Sequence, residues 1–260
     1  MAAVAYTLPV TFVEHYTESY FRFRTKRPDG FRFKAGQFIM IGLMVDDKPV
    51  MRAYSIASPI WDEELEFYSI IVPDGELTSR LQKIKVGDEV VMSKRAVGSL
   101  IVNSLSLGGG GKRLFMLSTG TGVAPFASII RDERTYKSFD EVYLTQTCRF
   151  KKDLQYTQAR VAEAKECPLV GEEAQKKLHL YTSVTREPYE YPGRITNLFE
   201  NGKFFSDLGI PGLNLETDRI MICGSIEMLK DTRVILDAAG MTHGSAHTQA
   251  HYCWEKAFTG

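Results

Sequence analysis

The sequence of 260 residues holds no apolar run near the roughly 18 residues that a membrane-spanning helix needs, so no span is expected. Cysteine is scarce. Cys148, Cys167, Cys223 and Cys253 lie far apart, without C-x-x-C or C-x4-C-x2-C spacing, which argues against a bound zinc or an iron–sulfur cluster. No excess of one charge exists either, since 32 Lys+Arg face 32 Asp+Glu, which argues against a strongly basic nucleic-acid binder. The first stretch lacks a basic start followed by an apolar run, so no secretory leader is expected and the cytoplasm is the expected address. There is no internal repeat, and the run 108–111 of four glycines is the one low-complexity tract. What is present is an ordinary mixture, 44% hydrophobic and 25% charged, able to bury a core.

The pattern changes near the middle of the chain. Phe21-Arg22-Phe23-Arg24 and Phe31-Arg32-Phe33-Lys34 alternate with the period of half-buried strands, and Pro28-Asp29-Gly30 between them predicts a hairpin turn. Short strands are expected at 37–43, 52–57, 65–72 and 89–93, with one helical piece at 78–84; together they predict a small antiparallel barrel or sandwich. The glycine run then reads as a joint. Beyond it strands at 114–118, 141–145, 178–184 and 219–223 alternate with helices from 124, at 153–165, at 196–201 and at 226–239. That order predicts a doubly wound parallel sheet. The expected division is a β domain over 1–105 and an α/β domain over 112–260.

Three stretches carry chemistry. In Arg52-Ala53-Tyr54-Ser55 a strand offers a fixed cation for a phosphate, an aromatic plane and a hydroxyl donor. Pro73-Asp74-Gly75-Glu76-Leu77-Thr78-Ser79 runs from a turn into a helix; its free amides and the Thr78 hydroxyl would hold a pyrophosphate, or Ser and Thr merely cap the helix. Thr119-Gly120-Thr121-Gly122 follows an apolar strand and opens a helix, where a dinucleotide pyrophosphate sits. Ala124 and Pro125 stand where G-x-G-x-x-G would continue, and a purely structural glycine turn is the other reading.

In order and spacing these stretches resemble the ferredoxin–NADP+ reductase family over essentially the whole chain. Met51–Pro59, Leu77-Thr78-Ser79-Arg80-Leu81, Val184-Thr185-Arg186-Glu187-Pro188 and the ending Glu255-Lys256-Ala257-Phe258 are similar to its bacterial ferredoxin/flavodoxin branch. The resemblance implies an N-terminal FAD-binding antiparallel β-barrel and a C-terminal NADP-binding α/β domain whose tail returns to the flavin. It implies an enzyme that exchanges hydride with NADP(H) and single electrons with a ferredoxin or flavodoxin, acting as a monomer. It also implies roles. Arg52 and Thr78 would bind the FAD pyrophosphate, Tyr54 would pack on the isoalloxazine, and Ser55 would lie near its N5. Ala53 and backbone from Ile70 to Val72 and Leu77 to Ser79 would complete that pocket. Thr119, Gly120, Thr121 and Gly122 would approach NADP, with Gly224 and Ser225 beside them. Cys223, in a C-G-S motif, would turn its thiol side to the nicotinamide, or be a plain core cysteine. Ala257 or Phe258 would shield the flavin, with Glu255 tuning the encounter, unless the tail is inert.

Arg149 and Arg186 follow predicted strands of the parallel sheet and Arg194 starts the helix after Pro192-Gly193, so all three would gather at the sheet's carboxyl edge around the adenine ribose; cations there favour the 2′-phosphate of NADP over NAD. Solvated surface arginines are the alternative. Lys94, Arg95 and Lys152 are candidates for a basic docking face toward an acidic carrier. Departures from the branch are Ile71 where a basic residue is common, Ile226 in place of the proline of C-G-S-P, and the segment 242–251. His243, His247 and His251 recur every fourth residue there, yet Gly244 points to a turn rather than a metal-binding helix. Two other readings are the reductase component of an oxygenase, which would need iron–sulfur cysteines that the chain lacks, and a flavin redox sensor, against which the arginines and the Gly120–Pro125 loop speak.

Overall fold

The computed structural model describes residues 4–107, 112–245 and 247–257. The expected joint at 108–111 and Phe258 lie outside them. The first half forms strands β1 (Tyr6–His15), β2 (Tyr20–Lys26), β3 (Phe38–Val45), β4 (Lys48–Ser55) and β5 (Glu64–Ile70), helix α1 (Thr78–Leu81) and strand β6 (Glu89–Met92). The strands make one antiparallel sheet in the order β4-β3-β6-β1-β2-β5. Its edge strands approach one another through side chains: the Tyr54 hydroxyl lies 3.0 Å from Ser69 Oγ. No ladder joins β4 to β5 among the described residues, so the expected barrel is a curved sheet without strand closure.

The expected hairpin around Pro28-Asp29-Gly30 does not form. Phe31–Lys34 is no strand, and β2 pairs instead with β1 and β5. The reason is local: Arg27 donates from Nε (3.0 Å) and Nη2 (2.7 Å) to the Phe31 carbonyl, while Phe31 drops into the core edge-on to Tyr6. A carbonyl so engaged is lost to a ladder. The α1 helix also stops after a single turn.

The second half contains β7 (Arg113–Ser118), α2 (Ala124–Ile129), α3 (Glu133–Ser138), β8 (Glu141–Cys148), α4 (Gln155–Glu166), α5 (Gly171–Lys177), β9 (Leu178–Val184), α6 (Ile195–Glu200), α7 (Lys203–Asp207), β10 (Asp218–Gly224), α8 (Ile226–Ala238) and β11 (Tyr252–Lys256). The sheet is parallel with order β11-β10-β7-β8-β9. Alternation along β7 shows why helices cover both faces. Leu114 and Met116 join a core with residues of α2 to α5, whereas Phe115 and Leu117 join one with α6 to α8. The chain leaves β7 toward β8 and β9, then crosses back to β10 and β11. The switch point therefore falls between β7 and β10, and a crevice there is the place for a ligand. No helix among the described residues is long and apolar enough to cross a membrane.

The halves meet over a buried, charged seam. On β5 the odd residues Leu65 and Phe67 fill the β-domain core, while Glu66 and Tyr68 face the second domain. Glu66 is 1% exposed. It accepts from Arg160 Nη1 (3.1 and 3.2 Å) and the Tyr156 hydroxyl (2.9 Å) on α4, and from Arg22 Nη1 (2.9 Å) on β2. Burial alone would raise its carboxyl, but Arg160, Arg131 and Arg22 outweigh that and hold it below the usual carboxylate range. Tyr68 stacks on Tyr156 with ring centroids 3.9 Å apart. Arg131, just past α2, donates to the Ala57 carbonyl at 2.7 Å.

Candidate functional site

A cleft between the halves is lined by Arg52, Ala53, Tyr54, Ser55, Tyr68, Ser69, Ile70, Thr78, Thr121, Ala124 and Ala257. Edge strand β4 supplies the first four, because its free side is not covered by another ladder. Tyr54 is held by its bond to Ser69 and by edge contacts with Phe23 and Phe67, and burial raises its phenol above the ordinary value. Arg52 pairs with Glu76 at 2.6 Å, both side chains partly in solvent. A pair so exposed is worth little and leaves the guanidinium available to a stronger anion.

Thr78 is engaged in another way than capping. Its hydroxyl donates to the Val72 carbonyl (3.0 Å) and accepts from the Val72 N–H (3.2 Å), closing the 72–78 turn over the cleft. Leu77 takes the cap position of α1 with no side-chain bond. Val72, Leu77 and Ser79 build this turn and do not line the cleft. Gly75 is required inside it, since a Cβ there would lie 2.5 Å from Thr78 Oγ1.

Across the cleft the two glycine motifs of the second domain are knitted together at the switch point. Thr119 donates its N–H to the Cys223 carbonyl (3.3 Å), and its hydroxyl accepts from Ser225 N–H (3.1 Å). Gly122 rests on the Cys223 carbonyl and Gly224 on the Thr119 hydroxyl, so neither has room for a side chain. Gly120 has φ +53° and its carbonyl accepts from Gln146 Nε2 at 2.9 Å. Gly122 and Gly224 thus have a packing reason. Ser225 caps α8 through Met228 N–H.

Cys223 is wholly buried and does not line the cleft; burial pushes its thiol up, as it does that of Cys253, and that of Cys148 to about 12. All four cysteines are free and buried. Alkylation needs an accessible thiolate. We expect intact-mass analysis after brief iodoacetamide treatment at neutral pH to find no adduct on native protein and four after denaturation; rapid labelling of Cys223 would place its thiol at the cleft.

Strand β11 runs parallel beside β10 and delivers the tail: Ala257 N–H donates to the Gly224 carbonyl at 3.1 Å, which sets Ala257 in the cleft. Glu255 Oε1 accepts from Ser99 N–H at 2.9 Å and so ties the tail to the β domain. Phe258, the other expected shield, is beyond the described residues.

The three arginines are exposed at the carboxyl ends of β8 and β9. Arg186 N–H donates to the Arg149 carbonyl at 3.0 Å, and Gly193, beside Arg194, donates to the Val184 carbonyl at 3.0 Å. The Glu187 carboxylate turns to the Lys151 N–H. Lys94 and Arg95 are exposed, whereas Lys152 pairs with Glu18 across the domains at 2.6 Å.

Ala124, named in the sequence only where G-x-G-x-x-G would continue, lines the cleft, and so do Tyr68 and Ser69, which the sequence did not single out. Their signal was the period of β5, which puts Tyr68 and Ser69 on opposite faces at the end of a strand already expected to reach Ile70.

Family models agree with this division of chemistry: one described as "Oxidoreductase FAD-binding domain" matches residues 10–99 and one described as "Oxidoreductase NAD-binding domain" matches 116–234. The chain is 49% identical over 252 residues to the flavodoxin/ferredoxin–NADP reductase of Rhodobacter capsulatus, covering 96% of this chain and 92% of that protein. It is 47% identical over 248 residues to ferredoxin–NADP reductase A of Sorangium cellulosum, covering 95% and 88%. Among solved structures, a ferredoxin NADP+ reductase from Neisseria gonorrhoeae with bound FAD and NADP superimposes with a TM-score of 0.86 at 30% identity, over 97% of this chain and 98% of that one. With two glycine motifs locked at the switch point, an Arg-x-Tyr-Ser edge strand opposite them, and this degree of identity along nearly its whole length, the chain belongs to the ferredoxin/flavodoxin–NADP+ reductase family.

Proposed function

We propose that this chain is an FAD-dependent reductase that exchanges hydride with NADP(H) and single electrons with a ferredoxin or flavodoxin. The observation that carries the reading is one cleft walled by both halves, with Arg52–Ser55 on one side and Thr121, Ala124 and Ala257 on the other. The donor set suits a flat ring system bearing phosphates: a partly free guanidinium, an aromatic plane, a hydroxyl, and Tyr68, whose buried Oη has no hydrogen-bond partner among the described residues. FAD, when bound, supplies the conversion between a hydride and separate electrons, which no side chain offers.

The chain's own residues do the rest. Arg52 and the turn closed by Thr78 hold the diphosphate, with Val72, Leu77 and Ser79 shaping that turn. Tyr54 and Ala257 bound the ring from the two domains, and Ser55 offers its hydroxyl at the strand end, with Ala53 and Ile70 beside it. Thr119, Gly120, Thr121 and Gly122, with Gly224 and Ser225, present bare backbone to the nicotinamide nucleotide. Cys223 supports this loop from beneath. Arg149, Arg186 and Arg194 recognise the 2′-phosphate. In this reading residues 1–105 serve FAD and 112–260 serve NADP(H). An exposed face carrying Lys94 and Arg95 receives an acidic carrier by electrostatic steering.

Purified protein should be yellow and should bleach anaerobically with NADPH; a protein colourless after incubation with FAD contradicts the reading. For the nucleotide, Arg186→Ala should lower kcat/KM for NADPH by about tenfold, the loss of one charged hydrogen bond, with NADH nearly unaffected. Equal losses with both nucleotides overturn the 2′-phosphate assignment.

A further inference from the structure

The buried seam offers more than adhesion, because the strand that carries its hub also reaches the cleft. Along β5, Glu66, Tyr68 and Ile70 share one face. Glu66 is clamped by Arg160 and Tyr156 of the second domain and by Arg22 of the first. Two residues on, Tyr68 stacks on the same Tyr156, and Tyr68 and Ile70 both line the cleft. A single α4 side chain, Tyr156, therefore holds the carboxylate through its hydroxyl and the cleft wall through its ring.

We propose that Glu66 is a positioning residue. It fixes the second domain against β5 and thereby sets the separation at which hydride donor and acceptor meet, without touching either. The proposal rests on the reductase reading. Small errors in such a separation cost rate steeply, since a misplacement of about 1 Å costs on the order of 100-fold. It costs little in nucleotide binding, because the arginines at the ends of β8 and β9 belong wholly to the second domain.

The test pairs two readouts on Glu66→Gln. In anaerobic stopped-flow mixing of FAD-loaded protein with NADPH, the limiting bleaching rate per bound flavin should fall about tenfold, while the half-saturating NADPH concentration shifts by less than about twofold. In the same FAD-loaded protein before mixing, spin labels at Lys48→Cys and Lys176→Cys report the domain arrangement, since both positions are exposed and the native cysteines are buried. Their distance distribution should be narrow with Glu66 and broad with Gln. Either readout unchanged overturns the proposal: an unchanged rate leaves Glu66 a structural residue, and an unchanged distribution removes the domain arrangement as its route. If Glu66→Gln does not fold, Tyr156→Phe, which deletes one bond to Glu66 and keeps the stack, carries the same readouts with an expected threefold or so drop in rate. Wild-type protein that binds FAD and is not bleached overturns the reductase reading instead, and the label distances still decide whether Glu66 fixes the domains.

Discussion

Gly122→Ala should cost about 3 kcal/mol of stability or more, and should abolish NADP+ binding in whatever protein still folds. A methyl at this position would sit 2.0 Å from the Cys223 carbonyl oxygen and 2.5 Å from its carbon. Both are backbone atoms of β10, which is hydrogen-bonded between β7 and β11. No rotamer change relieves such a clash, so the 118–122 loop must lift off the sheet. Overpacking ordinarily costs about 1–3 kcal/mol, and a clash with fixed backbone belongs at or above the top of that range. Lifting the loop also breaks the Thr119 contacts with Cys223 and Ser225, and with them the arrangement of bare amides at the switch point. Gly212→Ala is the control, because a Cβ there meets nothing within 4 Å among the described residues; it should stay within about 0.5 kcal/mol of wild type. Urea unfolding and calorimetric titration with NADP+ measure the two effects. Wild-type stability in Gly122→Ala would show that the loop does not rest on Cys223.

That prediction depends on a feature half visible in the sequence. One short glycine motif after an apolar strand announced a nucleotide crevice, the family resemblance set the C-G-S motif beside it, and their strands do come to lie side by side. What one chain read linearly does not disclose is that Gly122 and Gly224 serve one another's loops, since β7 and β10 are about a hundred residues apart. The Arg52–Ser55 strand was legible because a cation, an aromatic plane and a hydroxyl along one strand suit a flat, phosphate-bearing ligand, with an exposed edge strand as the other reading. Thr78 was legible as important but not in its act, for a hydroxyl can cap, bind or close a turn, and only the position of Val72 decides. The hairpin at Pro28 failed because alternation at 31–34 counts side chains and is blind to Arg27 seizing the Phe31 carbonyl. Strand β11 passed unnoticed because its five residues sit among polar turns, and its place is fixed by β10. Least legible was Glu66. In Leu65-Glu66-Phe67 a charged residue between apolar ones reads as the wet side of a strand, but here that side is covered by another domain.

Arg160→Met should destabilise the protein at that seam by about 3 kcal/mol. Both side chains are almost sealed, with 4% of Arg160 and 2% of Glu66 exposed. Removing one member of a buried pair strands the other charge, which typically costs about 3–5 kcal/mol. The lower end applies here because Arg22 still donates to Glu66. If the stranded charge is the cause, neutralising it should restore stability: Arg160→Met with Glu66→Gln should be more stable than Arg160→Met alone, although each change destabilises by itself. Groups in contact are expected to show such non-additivity. Acid should act likewise. Glu66 is held below its unfolded value, so its contribution is present above the ordinary carboxylate range and is lost as pH falls through the native value. Arg160→Met weakens the arginine field that does the holding, so the gap between it and wild type should be widest near neutrality and narrow in acid. Urea unfolding of the three variants across that pH range supplies the measurement. A gap that stays constant with pH, together with simple additivity of the two substitutions, would mean that Arg160 stabilises the seam by laying its guanidinium over the Tyr156 ring rather than by answering the charge of Glu66.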